Sequence, residues 1–323
     1  MDIFFYEVFA EEEKALKELL GNTFSYDFSP KTIQESDHST PPARIISIRT
    51  QSVVPDVWAD NIYGILSRST GYDHLTAYLA KIKKPLPCGY LEEYATRAVA
   101  EQAIMLMMAL LRKLPQQMRQ FSSFNRDGLT GRECAGKNLL AVGVGRIGGE
   151  IAAIARGLGM NVKGVDPVIK HPHIDYIDKI EGIRWADIVI CAMNLTPENK
   201  GYFSYDLLRH GKKGIIFINI ARGEHSPAAD LLQLLEEGHL GALGLDVYEN
   251  ESTVGVSLRN RMAYQSREAE IIRKMMNYPN VILTPHNAFN TWEAVQRKAQ
   301  FTVEQITYFL KHHDFKLKQA CKN

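Results

Sequence analysis

Short apolar runs alternate with helix-like stretches through the second half of the chain, which is the pattern of parallel strands joined by helices. The run at 139–142 breaks into three spaced glycines, and we expect an apolar-periodic helix to begin near Gly149. The alternation predicts a doubly wound parallel sheet. Further strands are predicted at 161–165, 187–193, 214–220, 241–245 and 281–283, with helices at 204–210 and 228–237.

The first part of the chain repeats this alternation on a smaller scale. Residues 2–7 predict a strand, and residues 10–20 predict an amphipathic helix ended by Gly21, with three glutamates in its first turn, where the helix dipole favours acidic side chains. The region has no glycine-rich phosphate turn, so it is a candidate substrate domain built on a small parallel sheet. Later strands are predicted at 44–48, 62–67 and 84–86.

Residues 91–114 predict a helix that is apolar on almost every side and must therefore be buried on several sides. We expect this helix to join two domains and to contribute to a subunit interface, although a helix buried within one monomer fits the pattern nearly as well. The expected division is a substrate domain of residues 1–93 and 290–323, with a cofactor domain of residues 94–289 inserted into it.

Two helix starts carry capping signals. Ser226 precedes Pro227, so Ser226 is expected to cap the helix at 228–237. Residues 290–293 resemble a capping box that opens a helix to about Lys311, which is long enough to return to the first domain.

The composition, 45% hydrophobic and 23% charged over 323 residues, is that of a globular protein long enough for two domains. Its 38 Lys and Arg nearly balance 37 Asp and Glu, without a long run of one sign, so we expect a small-molecule partner rather than nucleic acid or a membrane surface. The start of the chain lacks signal-peptide features and no apolar run approaches a membrane span, which predicts a cytoplasmic protein.

Cysteines and histidines do not form a metal or disulfide pattern. The four cysteines lie far apart without a CxxC pair, so we expect reduced thiols. His171 and His173 flank a proline in an expected surface loop that lacks a carboxylate cluster, and we predict no metal site there. The cysteines are Cys88, Cys134, Cys191 and Cys321.

The three spaced glycines are typical of a dinucleotide-binding turn. Gly143 permits the tight turn, Gly145 lets the backbone approach a pyrophosphate, and Gly148 lets the helix pack closely on the strand. Asp166 ends the next predicted strand, at about the distance expected of the acid that binds an adenosine ribose. Because a carboxylate there repels a 2′-phosphate and Pro167 follows it, NAD is expected rather than NADP.

Polar groups follow three later strands, at the edge where open α/β sheets bind ligands. Arg222 offers a planar fork suited to a carboxylate, and His286 is a natural proton donor near neutral pH. The segment 246–251 follows the strand between them. Each alone is ordinary, since a strand-end arginine is usually a surface residue and a lone histidine is usually structural. Beside a dinucleotide-binding turn, they indicate a catalytic site.

Four motifs in this order and spacing resemble the D-isomer-specific 2-hydroxyacid dehydrogenases over nearly the whole chain: Gly-Val-Gly-Arg-Ile-Gly, Asn-Ile-Ala-Arg-Gly, Gly-Leu-Asp-Val-Tyr-Glu-Asn-Glu and Thr-Pro-His. Residues 69–73 and 98–101 are similar to the family's first-domain and linker motifs. The segment 252–277 and the ending Pro-His-Asn-Ala-Phe-Asn-Thr are most similar to the D-lactate dehydrogenase branch. The resemblance implies an α/β fold of two doubly wound parallel-sheet domains, a Rossmann cofactor domain inserted in a smaller flavodoxin-like substrate domain, working as a homodimer.

The resemblance also implies NAD as cofactor and a small 2-keto acid, or its D-2-hydroxy acid, as substrate. Arg222 is then expected to bind the substrate carboxylate and carbonyl, and Glu251 to hydrogen-bond His286, the acid/base. A carboxylate beside an imidazolium favours its protonated form. The other implied contacts are Thr70, Gly71 and Tyr94 with the substrate, and Gly143, Gly145, Arg146, Ile147, Gly148, Asp166, Thr196, Ala221 and Asp246 with the cofactor.

Some features leave alternatives open. Asn194 stands where the family commonly has proline, which puts the adenine-side lining in doubt. Arg49 falls near where lactate enzymes place an uncharged residue, so it either recognises a second carboxylate or is a solvated loop arginine. An NAD(H)-sensing corepressor-like protein and the glyoxylate, hydroxypyruvate and phosphoglycerate dehydrogenases are alternatives. Formate dehydrogenase is disfavoured, because Glu251 occupies a position where that group lacks the acid.

Overall fold

The computed structural model describes residues 1–21, 24–259 and 266–319. The chain forms two compact units: an outer unit of Met1–Ala95 and Asn290–Asn323, and an inserted unit of Thr96–Phe289. Each unit is built on a sheet of mainly parallel strands. Within the described residues, no helix is both long and apolar enough to cross a membrane.

The elements have the following bounds. The strands are β1 (Ile3–Phe5), β2 (Tyr26–Phe28), β3 (Ile45–Ile48), β4 (Gly64–Ser67), β5 (Cys88–Gly89), β6 (Asn138–Val142), β7 (Asn161–Val165), β8 (Asp175–Tyr176), β9 (Ile188–Cys191), β10 (Ile215–Asn219), β11 (Leu240–Leu245), β12 (Val281–Leu283) and β13 (Lys318–Gln319). The α-helices are α1 (Ala10–Leu20), α2 (Asp73–Ile82), α3 (Thr96–Leu111), α4 (Leu114–Gln120), α5 (Arg146–Gly157), α6 (Lys179–Trp185), α7 (Tyr205–Arg209), α8 (Ala228–Glu236), α9 (Glu251–Arg259), α10 (Arg267–Met275) and α11 (Trp292–His312).

The sheet of the outer unit has the order β2-β1-β3-β4-β5, with antiparallel β13 beside β5. This is the flavodoxin-like strand order. Strands β3 and β4 are buried along their whole length, as expected of parallel strands covered on both faces. The strand predicted at 84–86 is wrong: Cys88–Gly89 pairs instead, because Pro85 and Pro87 have no backbone N–H to donate.

The sheet of the inserted unit is parallel throughout, in the order β12-β11-β10-β9-β6-β7-β8. Counted from β6, this is the Rossmann order 3-2-1-4-5-6 with β12 as a further strand. Alternate residues of β6 point to opposite faces, so Leu140 and Val142 join one hydrophobic core while Leu139 and Ala141 join the other. The two topologies confirm the predicted fold class.

The helix predicted at 91–114 is interrupted. Helix α3 covers only Thr96–Leu111, and α4 starts at Leu114 after Lys113 adopts a left-handed conformation with a φ of 53°. Pro115 fits the first turn of α4, where a backbone N–H has no intrahelical partner. The apolar surface of α3 packs against α5 and strands β10 and β11.

Two predicted caps are shifted. Pro227 is the N-cap position of α8, and the hydroxyl of Ser226 instead accepts a hydrogen bond from the side-chain amide of Asn219 at 2.9 Å. At α11 the N-cap is Thr291 rather than Asn290, and its hydroxyl oxygen accepts the N–H of the third helical residue. In each case the N-cap is the residue that keeps a non-helical backbone directly before the first helical turn.

A buried ion cluster lies in the outer unit where α1 packs against α11. Glu12 Oε1 lies 2.9 Å from Arg68 Nε and 2.7 Å from Lys298 Nζ, and all three side chains are fully buried. Burial by itself raises the pKa of Glu12, but the two cations hold that pKa at about 2. Burial lowers the pKa of Lys298 to about 7, because one carboxylate is shared by two cations and Arg49 adds further positive charge.

The buried ion cluster predicts that the free energy of unfolding rises with pH. The Lys298 ammonium titrates near 7 in the folded chain and near about 10.4 in the unfolded chain. The unfolded chain therefore binds more protons between these values, so the free energy of unfolding increases with pH across that window. We expect denaturant titrations at both ends of the window to show a larger increase for the wild type than for Lys298→Met, which keeps a long apolar side chain. An equal increase in both proteins would contradict the assignment.

Candidate active site

The turn after β6 fits a pyrophosphate. Gly143 has a φ of 89°, and a Cβ on Gly148 would lie 1.9 Å from the carbonyl oxygen of Gly143, so both positions require glycine. A Cβ on Gly145 would meet nothing within 4 Å, which leaves open space at this backbone. Helix α5 begins at Arg146, with Gly145 as its N-cap, and not near Gly149 as predicted. The positive end of the helix dipole therefore lies at the turn, where it favours an anion.

Asp166 is fixed beside this turn. Its Oδ2 accepts the N–H of Val144 at 2.8 Å, and its Oδ1 accepts the N–H of Val168 at 2.9 Å. Each oxygen keeps a second acceptor position, so the half-buried carboxylate is suited to ribose hydroxyls.

His171 Nε2 lies 3.2 Å from the carbonyl oxygen of Gly145. Among the described residues, no group of three or more His, Cys, Asp or Glu is placed to hold a metal ion.

The loop after β9 carries Thr196, which is exposed. Asn199 shapes this loop: its Oδ1 accepts the N–H of Thr196, and its amide donates to the carbonyl of Asn194, both at 2.8 Å. The buried ring of His225 contacts the backbone on both sides of this loop. Its Nδ1 lies 3.2 Å from the carbonyl oxygen of Asn199, and its Nε2 lies 3.3 Å from that of Met193. A neutral imidazole donates one of these hydrogen bonds and an imidazolium donates both.

Arg222 follows β10 on a turn that Asn219 holds in place. The buried amide of Asn219 donates to the carbonyl of Arg222 at 2.8 Å, and its Oδ1 accepts the N–H of Ala221 at 3.0 Å. The guanidinium of Arg222 is half-buried and donates through Nη1 to the carbonyl of Ala221 at 2.8 Å. Sequence reasoning missed Asn219, although a polar residue ending an apolar strand was a usable signal.

Gly223 brings this turn directly against the segment after β11. A Cβ at this position would lie 1.9 Å from the carbonyl carbon of Tyr248 and 2.1 Å from the nitrogen of Glu249. No side chain fits such an approach, since both neighbours are backbone atoms. The glycine therefore places Arg222 beside the segment that leads to Glu251.

His286 and Glu251 are in direct contact. Nδ1 of His286 lies 2.7 Å from Oε1 and 2.8 Å from Oε2 of Glu251, and each side chain is 17% exposed. The backbone of His286 is left-handed, with a φ of 50°, which is uncommon outside glycine and is concentrated at functional sites. The pair joins the residues after β12 to the start of α9.

Asp246 holds the loop that carries His286. This fully buried carboxylate accepts the N–H groups of Asn287 and Ala288, both at 2.9 Å, and the hydroxyl of Thr284. Burial raises the pKa of Asp246, while His286 and these hydrogen bonds act in the opposite direction. The resemblance of the sequence predicted Asp246 as a cofactor contact but gave no indication of these hydrogen bonds.

Thr70 and Gly71 lie in the outer unit, directly after β4. Thr70 is exposed, and the hydroxyl of the preceding Ser69 donates to the carbonyl of Gly71 at 2.8 Å. Ser69 Oγ also lies 2.7 Å from Ser67 Oγ, which contacts the ring of His74 at 2.8 Å. These contacts fix the turn that presents the two backbone amides.

Tyr94 and Arg49 also belong to the outer unit. Tyr94 is buried, and its carbonyl accepts a hydrogen bond from Arg297 at 2.8 Å. The half-buried Arg49 donates its backbone N–H to Glu7 at 3.0 Å, and its guanidinium lies 5.8 Å from the ring centre of Phe9. The structure thus places Arg222, Glu251 and His286 in one unit and the predicted substrate residues in the other.

Comparison with known protein families identifies the inserted unit. Residues 104–288 match the family model described as D-isomer specific 2-hydroxyacid dehydrogenase, NAD binding domain. The chain belongs to this family. It is an NAD-dependent oxidoreductase of the class that acts on CH–OH groups, and the glycine turn and Asp166 described above fit its cofactor.

Individual relatives span several activities. A D-lactate dehydrogenase of Streptococcus agalactiae is 31% identical over 240 residues, which cover 72% of this chain and 71% of the relative. A D-3-phosphoglycerate dehydrogenase of Bacillus subtilis is 34% identical over 223 residues, 67% of this chain but 39% of that protein. The fold is that of the D-lactate dehydrogenase of Aquifex aeolicus solved with NAD and lactic acid, at a TM-score of 0.86, 22% identity and coverage of 99% of this chain and 100% of that one.

Two further residues predicted to contact the cofactor lie in the inserted unit. Ile147 and Ala221 are half-buried at the starts of the segments after β6 and β10. Cys88, Cys134 and Cys191 are free thiols, and Cys321 lies outside the described residues.

Proposed function

We propose that this enzyme reduces a small 2-keto acid to the D-2-hydroxy acid with NADH, reversibly. The observation that carries the proposal is the contact between His286 Nδ1 and Glu251, 2.7 Å long. Arg222, the segment leading to Glu251, and His286 follow β10, β11 and β12, which are neighbours in the sheet. A carboxylate-binding group and a proton donor therefore occupy one edge, where α/β sheets bind ligands.

The residues divide the chemistry between them. NADH, when bound, supplies the hydride. Glu251 accepts a hydrogen bond from the Nδ1–H group of His286 and fixes the orientation of the ring, so Nε2 carries the proton that passes to the substrate carbonyl oxygen. Arg222 binds the substrate carboxylate with its planar fork and polarises the adjacent carbonyl. In the oxidation direction His286 takes the hydroxyl proton back.

We propose that the outer unit is the substrate domain and the inserted unit the NAD-binding domain. In the outer unit the amides of Thr70 and Gly71 bind the substrate carboxylate, and Tyr94 approaches it. The turn held by Ser69 supports this role, because its backbone is preorganised. In the inserted unit we propose that Asp166 binds the ribose and that Asp246 lies on the nicotinamide side of the cofactor. The rest of the binding surface is lined by Arg146, Ile147, Thr196 and Ala221.

We further propose a cytoplasmic homodimer. The support for the dimer is a set of large apolar side chains on α3, α4 and the turn that follows, which are 41% to 75% exposed. Apolar side chains exposed in such number along one stretch of chain favour an interface over a solvated face. Light scattering that gives the mass of one chain would contradict the dimer. The residues are Met105, Met108, Met118, Phe121 and Phe124.

A substrate panel tests the function. We expect NADH oxidation with pyruvate, phenylpyruvate or 2-ketoisocaproate to exceed that with glyoxylate, hydroxypyruvate or 3-phosphohydroxypyruvate, and NADPH to be the poorer cofactor. The 34% identity to a phosphoglycerate dehydrogenase favours the phosphorylated keto acid as the second candidate. NADH binding without turnover of any of these acids would indicate an NAD(H) sensor instead.

Oxaloacetate tests the role of Arg49. If its guanidinium recognises a second carboxylate, Arg49→Ala lowers kcat/KM for oxaloacetate relative to pyruvate by about tenfold, the size expected of a lost charged hydrogen bond. Arg44→Ala, at an exposed arginine over Tyr63, is the matched control. An unchanged ratio would make Arg49 a structural residue.

A further inference from the structure

Tyr248 faces the loop that carries His286 from within the segment 246–251. Its hydroxyl donates to the carbonyl of Thr284 at 2.7 Å and lies 3.3 Å from the carbonyl oxygen of Leu245. The side chain is buried, and burial raises the pKa of its phenol, so the hydroxyl keeps its proton and remains a donor. The segment after β11 therefore contacts the backbone carbonyl of Thr284 through Tyr248, while Asp246 contacts the hydroxyl of the same residue.

The carbonyl of Thr284 is also the acceptor for the backbone of His286. The N–H of His286 donates to it at 2.9 Å, which closes a tight turn over Pro285. The left-handed backbone of His286 is costly for a residue with a Cβ and persists only where the surroundings hold it. One carbonyl oxygen thus receives both the phenol of Tyr248 and the strained amide of the histidine.

The contacts on the two sides of His286 are complementary. Asp246 holds the loop after the histidine through the N–H groups of Asn287 and Ala288, and it also accepts the hydroxyl of Thr284. Tyr248 holds the backbone before the histidine, through the carbonyl of Thr284. With Glu251 on the imidazole ring, a single segment controls both the backbone and the side chain of His286.

We propose that Tyr248 is a positioning residue for His286: its hydroxyl fixes the Thr284 carbonyl and so keeps the imidazole aligned with Glu251 and the substrate. This inference rests on the proposed acid/base role of His286. Tyr248 does not touch the reacting atoms, so its effect is on how often the ring is in the reactive position, and small misplacements of catalytic groups lower rates steeply.

Tyr248→Phe tests this by removing only the hydroxyl. We expect kcat for the best 2-keto acid to fall about tenfold, while the dissociation constant of NADH, from its fluorescence, stays within about twofold of the wild type. Tyr202→Phe is the matched control, because Tyr202 also lies in the inserted unit and burial raises its pKa to about 12, but it is not part of this loop. Equal losses of kcat in both variants would overturn the proposal.

The double variant separates an effect through His286 from any other effect. Added to His286→Ala, Tyr248→Phe should cause no further loss of the residual rate, because residues that act as one unit are not additive. A repeated tenfold loss would show that Tyr248 does not act through the histidine, and would overturn the inference.

A spectroscopic arm is independent of turnover. In protein labelled with ¹⁵N-histidine, the ring signals of His286 are assigned as those missing from His286→Ala. Tyr248→Phe should shift or broaden these signals, whereas Tyr202→Phe should leave them unchanged. An unchanged His286 ring spectrum in Tyr248→Phe would overturn the positioning role. Full activity of His286→Ala would instead refute the acid/base role of His286. The ring spectrum of Tyr248→Phe would then still test whether Tyr248 positions the imidazole.

Discussion

His286→Ala lowers kcat/KM for the best 2-keto acid by about a thousandfold or more, the range expected when a positioned general acid is removed. The dissociation constant of NADH should change by less than about twofold, because the dinucleotide turn lies after β6, at a different strand end. Steady-state NADH oxidation measures the first quantity and NADH fluorescence titration the second.

The control for this variant is His239→Ala. His239 also lies in the inserted unit, and its Nε2 is 3.1 Å from the carbonyl oxygen of Leu208. It directly precedes β11, so it lies at the opposite end of that strand from the candidate site residues. We expect this variant to keep the wild-type kcat. A His286→Ala enzyme with near-normal kcat/KM would show that another group delivers the proton.

If Arg222 binds the substrate as proposed, Arg222→Ala lowers kcat/KM by about a thousandfold, since it removes both the bidentate contact with the carboxylate and the charge beside the developing alkoxide. If the contact between Arg222 and the carboxylate is equally strong in the ground state and the transition state, most of the loss appears as a higher KM for the keto acid. If the contact strengthens in the transition state, most of the loss appears as a lower kcat. Arg222→Lys restores the charge without the planar fork, so it should recover only part of the loss. Initial rates over a range of keto-acid concentrations measure both parameters.

The fold should survive this substitution. The turn at Arg222 is held through its backbone carbonyl by Asn219 and through the close approach of Gly223 to Tyr248, neither of which involves the guanidinium. Arg209→Ala, which removes an exposed ion pair with Glu237, is the control for loss of a positive charge from this unit. Unaltered kinetics in Arg222→Ala would refute its assignment to the substrate.

The sequence by itself determined the α/β fold class, most strand positions and the dinucleotide turn. These features depend on short-range physics: strands buried on both faces are continuous apolar runs, and the turn needs glycine wherever a Cβ meets backbone, as at Gly148. The position of Asp166 follows in the same way from the end of β7. Because the carboxyl ends of parallel strands share one edge, the sequence also predicted that Arg222 and His286 lie at the edge where α/β sheets bind ligands, and in the structure they follow β10 and β12, on either side of β11.

Only the tertiary structure decided which polar side chains support those residues. Three glutamates in the first turn of α1 look alike in sequence, yet Glu12 alone is buried among them, because it faces Arg68 and Lys298. Thr284, whose carbonyl accepts the hydroxyl of Tyr248, lies 36 positions away along the chain, and the two partners of His225 lie 26 and 32 positions away.

The same reason explains the errors at helix ends. Residues 91–114 have the composition of one helix, but the left-handed Lys113 ends α3 and lets α4 take a separate direction. Local patterns specify which segments form helices and strands, since they depend on neighbours in the chain. Caps, buried ion pairs and the hydrogen bonds that orient His286 depend on which segments meet in space. A polar group needs such a partner only once the fold has buried it, because burial without a hydrogen bond costs free energy.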